Sequence, residues 1–181
     1  MMRSNSYFAC VLLIRILILI FLVVSSVLIL VGPGLCLLYK PVDAVEEYDC
    51  YSFSVFDWYS FTNYAYFQIA VIIVPLCMGT FSLIAIASIK CCDCHWPRLR
   101  HSMIAGTGII VYTLAGVLET LVCFNILDYY DFYGIKTYLI ESKKIFVKGY
   151  LASAIFLFLS SFLAMVDACL LDARRFNIEE L

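Results

Sequence analysis

"YFACVLLIRILILIFLVVSSVLILVGPGLCLLY", residues 7–39, carries a single charge, Arg15, along its whole length. An apolar run this close to an N-terminus is either a secretory signal or a membrane helix, and its length separates the two. The apolar core of a signal spans about 7–15 residues and ends at a small-residue cleavage site. This run is far longer, no A-x-A-like site closes it, and "VGPG" at Val31–Gly34 reads as a kink or an exit turn. We therefore expect a retained helix over about residues 16–39.

The rest of the chain repeats the pattern. Of 181 residues, 64% are hydrophobic and 14% charged, and the mean hydropathy is +0.97. A soluble domain of this size has too little interior to hide that much apolar surface. Three further runs, about 67–89, 103–127 and 150–171, each reach the ~20 residues that cross a bilayer as a helix. The expected fold is all-α: one polytopic domain over 1–181, a four-transmembrane-helix bundle. Its outer loops are about 40–66 and 128–149, and its inner link is 90–102.

An even number of spans puts both termini on one side. That side and the inner link hold Arg3, Arg15, Lys90, Arg98, Arg100, Arg174 and Arg175, against Lys40, Lys136, Lys143, Lys144 and Lys148 opposite. Basic residues favour the cytoplasm, so cytoplasmic N and C termini are expected. The first outer loop is then acidic, with Asp43, Glu46, Glu47, Asp49 and Asp57.

The link opens with "KCCDCHW", residues 90–96. Structural zinc sites draw ligands from separated pairs, because a tetrahedron is approached from different directions. Cys91, Cys92, Cys94 and His95 are too crowded for that, and no metal or other cofactor is expected. Cysteines at the cytoplasmic edge of a span suit S-acylation, which makes Cys91, Cys92 and Cys94 lipidation candidates beside unmodified, reduced thiols. Trp96, Arg98 and Arg100 would sit at the headgroup level. Cys10, Cys77, Cys123 and Cys169 read as packing residues in apolar runs. Cys36 and Cys50 flank the start of the first outer loop and are candidates for one disulfide. No N-x-S/T sequon occurs.

Three charges fall within spans. Acids in hydrocarbon need partners. Asp167, about 6 Å from the inner end of the fourth span, is level with Arg15, and an ion pair between helices one and four is expected. Its cost is lessened if Arg15 snorkels toward water. Glu119, about 12 Å from the outer end of the third span, is nearer Gln68 and Lys148. Gly108, Tyr112, Ala115, Glu119 and Cys123 share a helix face suited to close packing. An ion or proton path is the functional alternative to structural bonding. His95 and His101 both fall in the inner link, and no H-E-x-x-H, G-x-S-x-G or phosphate loop occurs, so an enzyme is not expected.

"YLASAIFLFLSSFLAMVDACLLDARRF", Tyr150–Phe176, resembles the last helix of MARVEL-domain proteins. That helix is rich in Ala, Phe and Leu, with an acidic or small polar residue near its inner end and a short basic stop. Asp167, Arg174 and Arg175 match this pattern, and the four-helix topology agrees. The resemblance implies a non-enzymatic role in vesicle traffic, membrane apposition, fusion or cell junctions, with no catalytic site to carry over. Tetraspanins require a large second outer loop with a C-C-G motif, and connexins require three cysteines in each outer loop. Claudins place W-G-L-W before two cysteines, whereas here Cys50 precedes a single Trp58. A claudin-like junction or adhesion protein is the alternative, since loop size and helix count agree. A channel or transporter subunit ranks behind it.

Tyr51, Phe53, Phe56 and Trp58 are the outer-loop interaction candidates, and the aromatics from Phe61 onward read as interfacial anchors. Expected partners are membrane lipids and other membrane proteins, or a second copy through helix faces. No nucleic-acid partner is expected. The C-terminal "EEL" ending at Leu181 fits a PDZ-type groove only weakly and is read as a solvated tail. The expected location is the plasma membrane or secretory and endosomal vesicles.

Overall fold

A computed structural model describes residues 2–32, 35–39, 47–51, 55, 67–91, 98–123 and 144–179, with side chains placed over 8–32, 55, 67–88, 100–123 and 148–171. The elements run α1 (Met2–Val31), β1 (Leu35–Tyr39), β2 (Glu47–Tyr51), α2 (Phe67–Cys91), α3 (Arg98–Cys123), β3 (Lys144–Val147) and α4 (Lys148–Glu179). Each helix contains a segment long and apolar enough to cross a membrane: Phe8–Val31, Phe67–Ser88, Arg100–Cys123 and Lys148–Leu171. Helix is the form such sequences must take in hydrocarbon, because no water is there to satisfy a free backbone N–H or C=O.

The first helix differs from the sequence expectation at both ends. It starts earlier than residue 16 and stops at Val31. Gly32 adopts a positive φ of 42°, and its N–H donates to the carbonyl of Leu28 at 3.0 Å. Only glycine enters this left-handed region without a Cβ penalty, and Pro33 next to it cannot continue a helix ladder. The helix therefore leaves off before Gly32, and the apolar residues Leu35–Tyr39 form β1 rather than a last helical turn.

The helices alternate in direction. Arg15, early in α1, meets Asp167, late in α4, and Ser82, late in α2; Ser25 meets Ser153 further along. Along α3, Ile109 and Thr113 meet Ser161, whereas Gly116 meets Phe158. Each helix is thus antiparallel to its neighbours, in the ring α1–α2–α3–α4. The short link between α2 and α3 favours the antiparallel packing of that pair.

The inward face of α1, Val11, Ile14, Arg15, Ile18, Leu22, Ser25 and Ile29, recurs at the 3.6-residue period. It packs on Val71, Tyr112, Ala115, Val122, Cys123, Tyr150, Leu157 and Ala164. The expected α3 face of Gly108, Tyr112, Ala115, Glu119 and Cys123 is buried throughout. Leu13, Ile73, Ile84, Ile110, Leu114 and Phe162, all more than half exposed, face outward on all four helices. That inverted surface suits lipid. Small residues set the closest approaches. A Cβ on Gly79 would lie 2.6 Å from Leu22 Cδ1, and one on Gly116 would lie 3.0 Å from the Phe158 ring.

The loops between α1 and α2 and between α3 and α4 add something the all-α expectation did not contain. Three short strands form an antiparallel sheet in the order β2-β1-β3. β1 pairs with β2 from Leu35↔Tyr51 to Tyr39↔Glu47, and with β3 from Leu35↔Val147 to Leu38↔Lys144. The sheet lies at the end of the bundle away from the chain termini, and β3 runs directly into α4.

The glycine contacts give a controlled comparison. Gly79→Leu should cost roughly 1–3 kcal/mol by overpacking the α1–α2 contact. Gly106→Leu, where nothing lies within 4 Å of an added Cβ, should leave stability within about 0.5 kcal/mol. Unfolding of the purified protein in bicelles measures both, and equal losses at the two sites would contradict the packing described.

Candidate functional site

The buried polar groups lie at three levels along the bundle. At the level nearest the termini, Arg15 Nε donates to Asp167 Oδ2 at 2.9 Å, with both residues 1% exposed. Arg15 Nη1 donates to the carbonyl of Ser82 at 2.8 Å. The guanidinium therefore joins α1 to α4 and α2 together. His101, buried on α3 rather than in the link, lies within electrostatic reach of Arg15, as does Tyr112. Arg15 does not snorkel: its position in the second turn of the span leaves it enclosed by the other three helices. Nη2 of Arg15 and Oδ1 of Asp167 remain buried without a hydrogen-bond partner.

Two hydroxyl pairs follow, Thr113–Ser161 midway along the bundle and Ser25–Ser153 nearer the sheet, at about the depth of Glu119. Ser25 and Ser153 Oγ are 2.7 Å apart between α1 and α4. Thr113 Oγ1 and Ser161 Oγ are 2.7 Å apart between α3 and α4, and Ser161 donates onward to the Ile109 carbonyl at 3.2 Å. With Ser161 donating there, its oxygen accepts from Thr113, so both hydroxyls are used. Ser26, Thr80, Thr107, Thr120 and Ser160 donate to carbonyls one turn back on their own helices. Such hydroxyls are satisfied without a solvent path.

At the sheet end, Glu119 is 0% and Gln68 1% exposed. Glu119 lies about 6 Å before Cys123, the last described residue of α3. Gln68 on α2 is near enough to act on the Glu119 carboxyl, but the four polar side-chain atoms of the pair lack hydrogen-bond geometry. Lys148 is exposed at the start of α4.

The remaining sequence candidates are distributed as follows. Cys36 and Cys50 occupy directly opposed positions of β1 and β2. Cys91 ends α2 and Tyr51 ends β2, with their side chains outside the described set. Cys92, Cys94, His95, Phe53, Phe56, Trp58 and Leu181 lie outside the described residues. Among the described residues, no group of three His, Cys, Asp or Glu side chains is placed to hold a metal. Sequence reasoning missed His101 and the serine pairs. The signal for Ser153 was present, since Ser153, Leu157, Ser160, Ala164 and Asp167 follow helical spacing on α4.

The levels should differ in energy. Asp167→Ala leaves Arg15 buried and uncompensated and should cost roughly 3–5 kcal/mol. Ser153→Ala removes one interhelical hydroxyl bond and should cost about 0.6 kcal/mol, the usual size for such bonds in membranes. Unfolding in bicelles gives both values, and a serine loss equal to the aspartate loss would contradict the ranking.

Comparison with known proteins finds no family model, no curated protein and no solved structure that matches this chain.

Proposed function

We propose that this chain is a non-enzymatic membrane organiser of the MARVEL-like kind, whose bundle supports an outer sheet used in membrane apposition or at cell junctions. The observation that carries this reading is the shared sheet. Both loops contribute strands to it, and its outer strands β2 and β3 are tied through the central β1. A sheet built this way is a stiffer platform than two separate loops, and it begins at Leu35, four residues after α1 ends at Val31, and leads without a break into α4. Polar groups inside the bundle serve mainly as interhelical ties, which suits a support. Vesicle traffic and fusion remain roles of the same class. A claudin-like junction protein uses the same feature, with the sheet as its adhesive part.

In this reading the termini and the 90–102 link are cytoplasmic, as the basic residues favour, and the sheet faces outward. The membrane is the plasma membrane or that of secretory and endosomal vesicles. Cys91, Cys92 and Cys94 carry acyl chains at the inner surface. A second reading, a channel or transporter subunit, draws on the unpaired Glu119 and Gln68.

Two expectations follow from this reading. Tagged protein should concentrate where two expressing cells touch and be weaker where an expressing cell meets a non-expressing one. Reconstituted protein that conducts ions selectively, with the flux abolished by Glu119→Gln, would replace the organiser by the channel. Thioester exchange should detect acylation of the wild type and lose it when Cys91, Cys92 and Cys94 become serine. Stoichiometric zinc lost with the same substitutions would assign the cluster to metal instead.

A further inference from the structure

We propose that Cys36 and Cys50 are joined by a disulfide that staples β1 to β2. The register puts the two residues directly opposite each other, with Leu35↔Tyr51 and Leu37↔Asp49 on either side. Opposed residues of an antiparallel pair have their Cα atoms about 4.5 or 5.5 Å apart, depending on the ladder position, and present their side chains to the same face. Both separations lie within the ~4.4–6.8 Å that a disulfide spans. A slip of one residue would put the two cysteines on opposite faces. The match is therefore informative about the pairing as well as the bond.

Among the described side chains, the competing thiols are placed differently. Cys10, Cys77 and Cys169 are exposed on the helices, within the segments that suit the membrane. Cys123, at the end of α3 toward the sheet, is buried in the bundle core. On the other flank of β1, Cys36 stands opposite Phe146 of β3, so β2 is the strand that offers it a sulfur. The bond links the central strand to the strand that leads back toward α2.

Formation is an exchange with a disulfide-bearing oxidoreductase of the secretory lumen. The two thiols lose two protons and two electrons as the S–S bond forms, and the enzyme's disulfide takes up both and becomes a dithiol. Such bonds persist only in an oxidising compartment. The inference thus rests on the reading that the sheet faces outward, and it turns that reading into a covalent mark.

The test uses the full chain in sealed microsomes with their cytoplasmic face outward. Free thiols are blocked with N-ethylmaleimide on lysis, and unreduced protein is cut after glutamate, which separates the two cysteines at Glu46 and Glu47. The expected product is a peptide pair containing Cys36 and Cys50 that separates on reduction. Cys36→Ser should leave Cys50 open to maleimide, and Cys50→Ser should do the same for Cys36. Maleimide on both cysteines of the wild type, or a link from either to Cys123, overturns the proposal. An impermeant amine reagent tells the two failures apart. Labelling of Lys90 in sealed microsomes, with Lys40 and Lys136 reached only after permeabilisation, keeps the orientation while the bond fails. The reverse pattern overturns both.

Discussion

A guanidinium enclosed by four apolar helices is the constraint on which this structure depends. In hydrocarbon its charge is tolerable only with partners, and it finds a carboxylate on α4 and a carbonyl on α2. Those two bonds fix more than a distance. They set which ends of α1, α2 and α4 lie together, which faces of these helices turn inward, and how far each helix slides along its neighbour. A one-turn slip of about 5.4 Å would leave Asp167 against an aliphatic side chain and Arg15 without a counter-ion. Apolar packing alone tolerates many such slips, because lipid solvates Leu and Ile as well as another helix does.

The other features of the bundle follow from that register. Ser25 and Ser153 fall opposite each other because Arg15 and Asp167 do. Gly79 admits Leu22 at close range, and Tyr112 fills the space beside Gly108 near the charged level. At the far end, the aligned exits of α1 and α3 bring the two loops together, and the chain leaves helix before Gly32 and enters β1 at Leu35. The loops can then pair as one antiparallel sheet, and the strand next to α4 becomes the third member.

Much of this was legible in the sequence. Length and hydropathy are enough to find four spans, and the depth of Arg15 and Asp167, counted at 1.5 Å per residue, is enough to pair them. The α3 face needed only helical spacing. The sheet was not legible. "LCLLY" is as apolar as the helix before it, and a short apolar run reads equally as helix or strand. What distinguishes it is the helix end before Gly32 and pairing with strands far along the chain, and pairing partners leave no local trace. His101 was misplaced for a related reason. α3 begins at Arg98, before its hydropathy rises, so polar residues of its first turns read as link. The opposition of Cys36 and Cys50 depends on strand register, which the spacing of two cysteines does not specify.

The central claim is that Arg15 and Asp167 act on each other and thereby hold the helices in register. A double-mutant cycle in bicelles measures this directly, using Arg15→Leu, Asp167→Leu and the two combined. The account predicts a coupling of roughly 1.5–7 kcal/mol, the span found for close charge pairs, with the double variant more stable than either single one. Additive losses, with the double variant the least stable of the three, would show that the two residues are buried independently and would contradict the account.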